Sequence, residues 1–306
     1  MPKSMSSPTI PIELIEAIID QVALIPFTNV LTLISSPNYK PGSPTGTRTS
    51  TLSSCALVSR ALVSRCQKHI FNTIDLDRTK ARGMPREMYY RGLQHRLRSN
   101  PHLGTYVRHF RLADDPKYPS WIAYTETPIS ETLSFFPHLY SFGLKFNSGG
   151  ASWAGLPDDT RAAFERVFRM ESVKEVELEF FSGLPVPLLM SLTRLKYLAL
   201  SNVRLNLDLD TDVEVGDARS GGKPPCEVAL ESLYLRGVSP GVIKTLTKTL
   251  SSANGPPTLR KLALTPTFEE GFDAAVVELI AACGSHITSF AWLPIIYFCE
   301  YHFQTT

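Results

Sequence analysis

A six-residue pattern of apolar side chains recurs along most of this chain and limits its fold more than any other feature. In each copy the first, fourth and sixth residues are apolar, while the residues between them vary. The copies begin at Val107, Leu139, Val173, Leu195, Leu230, Leu259 and Ile287, and consecutive copies are separated by 22 to 35 residues. Sequence periods of about 20 to 50 residues are typical of folds that stack one structural unit on the next.

Segments with helical periodicity precede several of these copies. Apolar residues three and four positions apart fall on one face of an α-helix. The clearest such faces consist of Phe164, Val167 and Phe168, of Ile243, Leu246 and Leu250, and of Phe272, Val276, Leu279 and Cys283. A repeated helix and strand is the α/β form of a leucine-rich-repeat solenoid, and connections of this length allow the strands to lie parallel. We therefore predict an α/β fold in which residues 77–306 form an irregular leucine-rich-repeat solenoid with parallel strands.

The repeats are irregular in two respects. The asparagine expected shortly after the last apolar residue occurs only loosely, as Asn147 or Asn202. Without it, other groups must make the hydrogen bonds between neighbouring repeats. An acidic stretch followed by Gly- and Pro-rich sequence also interrupts the array, and we predict a loop insertion at residues 201–229.

The N-terminal region has a different organisation. Residues 1–9 are predicted to be a disordered tail, and a helix with a broad apolar face follows from residue 10, with Pro11 in its first turn. Residues 26–50 are rich in Pro, Gly, Ser and Thr, which predicts a flexible insertion. A second helical region from Leu52 to Ile70 and a short strand up to Leu76 complete a module at residues 10–76.

Composition narrows the classes of partner and compartment. The net charge of +2 gives no electrostatic case for nucleic acid, and the basic residues between positions 78 and 111 are interpreted as a solvated helix face. No apolar run is long enough to span a membrane, and the start of the chain lacks an apolar signal-peptide core. The five cysteines form no C-x-x-C pair, and neither metal-ligand spacing nor a cofactor motif is present. We expect a cytoplasmic or nuclear protein without metal or cofactor.

Short stretches within the first eighty residues resemble the F-box motif. They are Ile10-Pro11-Ile12-Glu13-Leu14-Ile15, Leu57-Val58-Ser59-Arg60, His69-Ile70-Phe71 and Ile74-Asp75-Leu76. The segment from Ser99 to Arg108 is similar to the first repeat of fungal F-box proteins that carry irregular leucine-rich repeats. Two positions depart from the family: Leu62 stands where tryptophan is usual, and Ser59 replaces a common cysteine.

The resemblance implies a three-helix F-box-like module that binds a Skp-family adaptor and, through it, a cullin. The implied adaptor-binding residues are Pro11, Ile12, Leu14, Ile15, Leu57, Val58 and Leu62. A helical module this small buries little apolar surface, so part of that surface is expected to find a partner. The alternative is that the same residues pack against the first repeat as a cap.

The function that follows is substrate recognition for a Skp–cullin–F-box type ubiquitin ligase, without catalytic residues. Variable pattern positions are expected to hold a protein substrate, at Arg108, Arg111, Lys174, Glu177, Lys196, Arg260 and Lys261. A repeat scaffold that binds proteins without any ligase is the alternative. A hydrolase using Ser152 is a third hypothesis, which the sequence disfavours because the glycine-flanked segment is one residue too long for a nucleophile elbow.

Overall fold

The computed structural model describes residues 11–24, 45–76, 86–114, 121–124, 129–146, 151–205, 229–251 and 258–293. The predicted tail at residues 1–9, residues 26–44 of the predicted insertion and residues 206–228 of the second insertion lie outside this part of the chain. Asn147 also lies outside it.

Three helices form the N-terminal bundle: α1 (Ile12–Leu24), α2 (Thr45–Val58) and α3 (Arg60–Phe71). Helix α2 begins within the predicted insertion, so residues 45–50 are helical rather than part of a linker. The small core of the bundle consists of Ile19, Leu52, Leu62 and Cys66. Ser59 separates α2 from α3 in an extended conformation, and its hydroxyl accepts a hydrogen bond from the Ala61 amide at 3.3 Å. This bond caps α3 and gives Ser59 a structural role.

The rest of the described chain alternates between strands and helices. In order, these are β1 (Thr73–Asp75), α4 (Arg86–Ser99), β2 (His109–Ala113), α5 (Trp121–Tyr124), α6 (Ile129–Ser134), β3 (Ser141–Lys145), β4 (Ala151–Ser152), α7 (Asp158–Arg169), β5 (Glu175–Leu184), α8 (Val186–Ser191), β6 (Tyr197–Leu205), β7 (Ser232–Arg236), α9 (Pro240–Ser251), β8 (Lys261–Thr265), α10 (Phe272–Cys283) and β9 (Ser289–Trp292). Short 3-10 helices span Pro101–Tyr106, Trp153–Gly155, Leu192–Arg194 and Gly284–His286.

The nine strands found among the described residues join one parallel sheet. The strands lie side by side in chain order, β1-β2-β3-β5-β6-β7-β8-β9, and the two-residue β4 pairs separately with β5. The prediction of an α/β fold with parallel strands is therefore confirmed. The strand predicted at the end of the N-terminal module is β1, which pairs with β2 at residues 73–75. One boundary differs, because β6 continues through Leu205 into the predicted insertion.

The strand register follows the apolar pattern. Fourth residues of successive copies pair with one another across the sheet, as Phe110, Phe142, Val176, Leu198, Leu233, Leu262 and Phe290. Sixth residues do the same, and from β2 to β8 both rows pack with the predicted helix faces in one continuous core. Phe142 shows this packing directly, since its ring lies 5.8 Å from the rings of both Phe164 and Phe168 on α7.

Backbone groups form a ladder of hydrogen bonds between successive pattern copies. The carbonyl oxygen of the second residue in a pattern copy accepts hydrogen bonds from two amides of the next copy. The Arg108 carbonyl, for example, accepts from Tyr140 and Ser141 at 2.7 and 2.9 Å. The same double acceptance recurs at Tyr140, Lys174, Lys196, Glu231 and Arg260. This ladder uses only main-chain atoms and therefore requires no particular side chain at the second position.

The last described strand is covered less completely than the others. Phe290 and Trp292 on β9 occupy the fourth and sixth pattern positions, yet 48% and 46% of their surfaces are exposed. Their counterparts on β3, Phe142 and Leu144, are 0% and 2% exposed. None of the described helices combines the length and apolar character needed to cross a membrane.

Candidate functional site

The face of the sheet opposite the core formed with the described helices carries the variable pattern positions. We call it the open face and define it by the third and fifth pattern residues and the residue after the sixth. At the central strands β5 to β7 these residues are Glu175, Glu177, Glu179, Tyr197, Ala199, Ser201, Ser232, Tyr234 and Arg236. Because side chains alternate between the two faces of a strand, the same strands bury their fourth and sixth residues in the core.

An ion pair crosses the open face between strands that are not neighbours. Arg111 on β2 donates to the Glu177 carboxylate on β5, and Gly143 on the intervening β3 lies between them in the register. A Cβ atom added at Gly143 would lie 3.0 Å from Cγ and 3.1 Å from Nε of Arg111. Gly143 therefore gives the arginine side chain room to lie across β3. The paired side chains are only 18% and 16% exposed.

A small pocket of about 220 Å³ lies beside this ion pair. Ala199 and Ser201 on β6 have short side chains, and their strand lies between Glu177 and Glu179 on β5 and Tyr234 and Arg236 on β7. The lining also includes Arg111, Gly143, Leu144 and Lys145. We call this cavity the face pocket. Short side chains on β6 between long ones on β5 and β7 account for the depression.

The charges of the face pocket are unevenly balanced. Glu177 is paired with Arg111, and Glu179 accepts a hydrogen bond from the Lys145 ammonium at 3.1 Å. Within the described chain, no carboxylate lies within ion-pair distance of Arg236, which is exposed. Three cations thus face two carboxylates, which favours a negatively charged ligand.

Tyr234 forms the wall of the face pocket next to Arg236. Burial raises the pKa of its phenol above the ordinary value, while hydrogen bonds from Thr265 and Arg236 act in the opposite direction. The hydroxyl of Tyr234 is therefore held beside Thr265 and Arg236 at the wall of the pocket.

The structure divides the predicted substrate-binding residues into two groups. Arg111 and Glu177 belong to the face pocket, and Lys261 lies on the open face at the start of β8. Arg108, Lys174, Lys196 and Arg260 precede their strands and provide the carbonyls of the backbone ladder. Lys196 also pairs with Glu231 at 3.4 Å. The predicted set therefore combines residues of the open face with residues that immediately precede the strands.

A second candidate surface lies on the N-terminal bundle. Leu14, Ala17, Ile18, Gln21 and Val22 on α1 line a shallow groove of about 390 Å³, which we call the helix groove. Leu14 and Ile18 are 55% and 53% exposed although both are large and apolar. The other side of α1, with Ile15 and Ile19, packs into the bundle core, and Val22 contributes to both surfaces. The broad apolar face of α1 is thus split between a core and an exposed surface.

The implied adaptor-binding residues differ in accessibility. Pro11, Ile12 and Leu14 are exposed on or beside α1, and Leu57 and Val58 at the end of α2 are 89% and 82% exposed. Ile15 is half-buried against the core. Leu62 is 5% exposed and belongs to the core, so it is not available to a partner as the resemblance implies. Ile18 was not among the implied residues, although it follows Leu14 by one helical turn.

The bundle meets the sheet through other residues. The Ser64 and Tyr106 hydroxyls hydrogen-bond at 3.2 Å, and Phe71 and Ile74 pack against the core of the sheet. Leu14, Ile18 and Leu57 remain exposed in this arrangement. The contact with the first strands therefore does not cover the apolar surface, as a purely capping role would require.

A polar cluster joins α1 to α3. Arg65 donates to Asp20 and to Glu16, the latter at 2.7 Å, and His69 Nε2 donates to Asp20 at 2.8 Å. The hydrogen bond from Arg65, followed by that from His69, holds the pKa of the Asp20 carboxyl well below its usual range. These side chains are one quarter to two fifths exposed, so water weakens their interaction.

We expect the Asp20 cluster to stabilise the bundle at neutral pH and to lose its effect in acid. Its carboxyl is protonated in the unfolded chain below about pH 4, while the folded chain resists protonation to lower pH. Stability from Asp20 is therefore full above about pH 5 and declines as pH falls through 4. Hydrogen exchange of α1 and α3 amides, corrected for intrinsic rates, should show Asp20→Asn weakening protection at pH 6. The difference from wild type should shrink at pH 3.5; an unchanged difference would contradict the linkage.

The predicted solvated region begins with residues 78–85, which lie outside the described residues, and several of its described basic residues pair with the protein itself. On α4, Arg91 pairs with Glu87 at 2.7 Å, and Arg98 pairs with Glu131 on α6 at 2.5 Å. Tyr90 is buried and donates to Thr132 at 2.7 Å, so its ring cannot stack on a nucleic-acid base. Burial raises the pKa of the Tyr90 phenol. These contacts fit a solvated helix face.

Ser152 lies at the end of the two-residue strand β4, in register with Ser182 on β5. Its side chain is exposed, and no histidine is hydrogen-bonded to it in the described part of the chain.

No protein-family model matches this chain, and no curated protein matches it either.

Proposed function

We propose that this chain is a substrate-recognition subunit of a Skp–cullin–F-box type ubiquitin ligase. In this proposal the N-terminal bundle is an F-box-like module that binds the adaptor, and the parallel sheet belongs to an irregular leucine-rich-repeat solenoid that holds a protein substrate. The chain contributes proximity: it holds the substrate near a ubiquitin-carrying enzyme and raises the effective concentration of the two reactants.

The observation that carries the proposal is the exposed apolar surface of the bundle. Leu14, Leu57 and Val58 are the F-box-like positions most exposed to water, and Ile18 extends the α1 part of that surface. Exposed apolar patches usually mark interfaces, and the contact between bundle and sheet leaves these residues uncovered. The order of the motif stretches along the chain supports the same reading.

Leu62 favours the alternative of a repeat scaffold without a ligase. With a core leucine at the position of the usual tryptophan, the interface would lack an aromatic side chain of the kind that often dominates binding energy. The scaffold alternative requires that the open face still bind a protein while the chain ignores the adaptor.

Pull-down with a purified Skp-family adaptor tests the proposal. Wild type should bind, and Leu14→Asp and Leu57→Asp should each weaken binding at least tenfold, because a charge would be buried in an apolar interface. Val277→Asp is the matched control, since Val277 is 66% exposed on α10, outside the bundle. Circular dichroism establishes that each variant is folded. Absence of binding by the wild-type chain would overturn the ligase proposal and leave the scaffold.

A further inference from the structure

The face pocket is too small for most small-molecule ligands. Its volume of about 220 Å³ lies below the range, from about 300 Å³ upward, that is typical of drug-sized sites. It also opens onto a sheet face rather than closing around a ligand. Both properties suit one side chain projecting from a bound protein.

The charges of the face pocket select the type of side chain. Each glutamate already has a cation beside it, whereas Arg236 offers an exposed guanidinium without a carboxylate partner among the described residues. A guanidinium carries five N–H donors in a planar fork that suits the oxygens of carboxylate and phosphate groups. The hydroxyl of Tyr234, a group able to donate a hydrogen bond, lies on the same wall.

Short side chains on β6 make the Arg236 wall accessible. Ser201 lies between Glu179 and Arg236 in the register, and Ala199 lies between Glu177 and Tyr234. Ala199 and Ser201 are 2% and 8% exposed, and their short side chains form the floor of the pocket without filling it. A ligand group above β6 would face the two donors on β7 on one side. On the other side it would face carboxylates whose charge is offset by Arg111 and Lys145.

We propose that the face pocket receives one anionic side chain of a partner protein, a carboxylate or a phosphate ester, against Arg236 and Tyr234. The identity of that partner as a ligase substrate rests on the proposed function, whereas the chemistry of the pocket does not. Glu177 and Glu179 disfavour a ligand with more negative charge than the donors can offset, and so contribute to selectivity.

Blocked pentapeptides test this proposal on the full chain. In acetyl-Gly-Gly-X-Gly-Gly-amide both ends are blocked, so any charge belongs to residue X. X is Glu or phosphoserine in the anionic peptides, Gln in the neutral peptide and Lys in the cationic peptide. The Nε–Hε signal of Arg236, assigned by its loss in Arg236→Gln, reports binding in NMR titrations. The Glu and phosphoserine peptides should shift this signal saturably, and the Gln and Lys peptides should not. If the phosphoserine peptide binds at least tenfold more tightly than the Glu peptide, the partner side chain is a phosphate ester. If the two peptides bind with equal affinity, the partner side chain is a carboxylate.

Variants locate the site. Binding to the variants is followed through the NMR signals of the peptide. Arg236→Gln should weaken binding of the Glu peptide at least tenfold, and Tyr234→Phe should weaken it several-fold. Glu179→Gln should strengthen it several-fold, since it removes a carboxylate and releases Lys145. Arg96→Gln on α4 makes the same charge change at an exposed site outside the pocket and should leave affinity within twofold. The proposal would be overturned if the Gln and Glu peptides bound equally well or if no peptide gave a saturable shift. It would also be overturned if Arg236→Gln bound the Glu peptide with the affinity of wild type.

The two proposals fail separately. Arg236→Gln should bind the Skp-family adaptor as well as wild type does, because Arg236 lies on the sheet and not on the bundle. If wild type does not bind the adaptor but the Glu peptide still saturates the pocket, the ligase role is wrong and the anion site stands. If the adaptor binds and no anionic peptide does, the anion site is wrong and the ligase role stands.

Discussion

Replacing Phe142 by alanine is expected to lower the free energy of unfolding by about 3–5 kcal/mol, as for other fully buried phenylalanines. Phe142 is 0% exposed, and its ring contacts those of Phe110, Phe164 and Phe168 at centroid distances of 6.3, 5.8 and 5.8 Å. The contacts join two strands to helix α7. Truncation would remove apolar area and leave a cavity that three rigid rings cannot easily fill.

Phe290→Ala provides the matched control for Phe142→Ala. Both phenylalanines occupy the fourth pattern position, but Phe290 on β9 is 48% exposed. Its truncation should lower stability by less than about 1 kcal/mol, because much of its surface already contacts water. Urea unfolding at 25 °C followed by circular dichroism measures both losses, provided that one cooperative transition is observed. Equal losses would show that the packing around β9 is as tight as that around β3.

The contrast between Phe142 and Phe290 shows what the apolar pattern predicts and what it leaves open. The spacing of apolar residues predicts strands, their parallel arrangement and even their register, because each copy repeats the same alternation of buried and open positions. Burial depends on neighbours beyond each copy. Phe142 has α7 beside it, whereas Phe290 belongs to the last described strand of the sheet.

The same limit applies to the open face. The pattern correctly places Arg111 and Glu177 away from the core, but their ion pair depends on the glycine between them. The sequence carries that signal, since Gly143 occupies the fifth pattern position between copies that supply the arginine and the glutamate. Arg236 was not anticipated because it follows the sixth pattern residue. Arg236 faces the pocket because the side chain of Ser201 on the neighbouring strand is short.

In the N-terminal bundle, motif positions and helix geometry lead to different residues. The F-box resemblance places Leu62 on an interface, but packing of three short helices requires a core residue at that position. Helix periodicity adds Ile18, one turn after Leu14, to the exposed surface. A linear motif does not specify which side of an apolar helix its own neighbours will cover, since that depends on the interhelical contacts.

Gly104→Ala is the second substitution with a large expected effect, a loss of about 3 kcal/mol in the free energy of unfolding. Gly104 is buried in the 3-10 helix Pro101–Tyr106, where a Cβ atom would lie 2.2 Å from the Phe135 carbonyl oxygen and 2.9 Å from its Cβ. These are main-chain contacts or atoms fixed to the main chain, so no change of rotamer relieves them. The segment before β2 would have to move away from the end of α6.

Gly92→Ala separates this steric effect from the general effect of alanine on the unfolded chain. Gly92 lies within α4, and an added Cβ would meet no atom within 4 Å. Alanine there should raise stability by about 0.5–1 kcal/mol, because it restricts the unfolded chain and favours the helix. The two variants differ from wild type by the same methyl group and should shift the urea midpoint in opposite directions. Destabilisation of similar size in both would mean that close approach of Phe135 is not the cause, whereas opposite signs would place the cost at the contact between the 3-10 helix and Phe135.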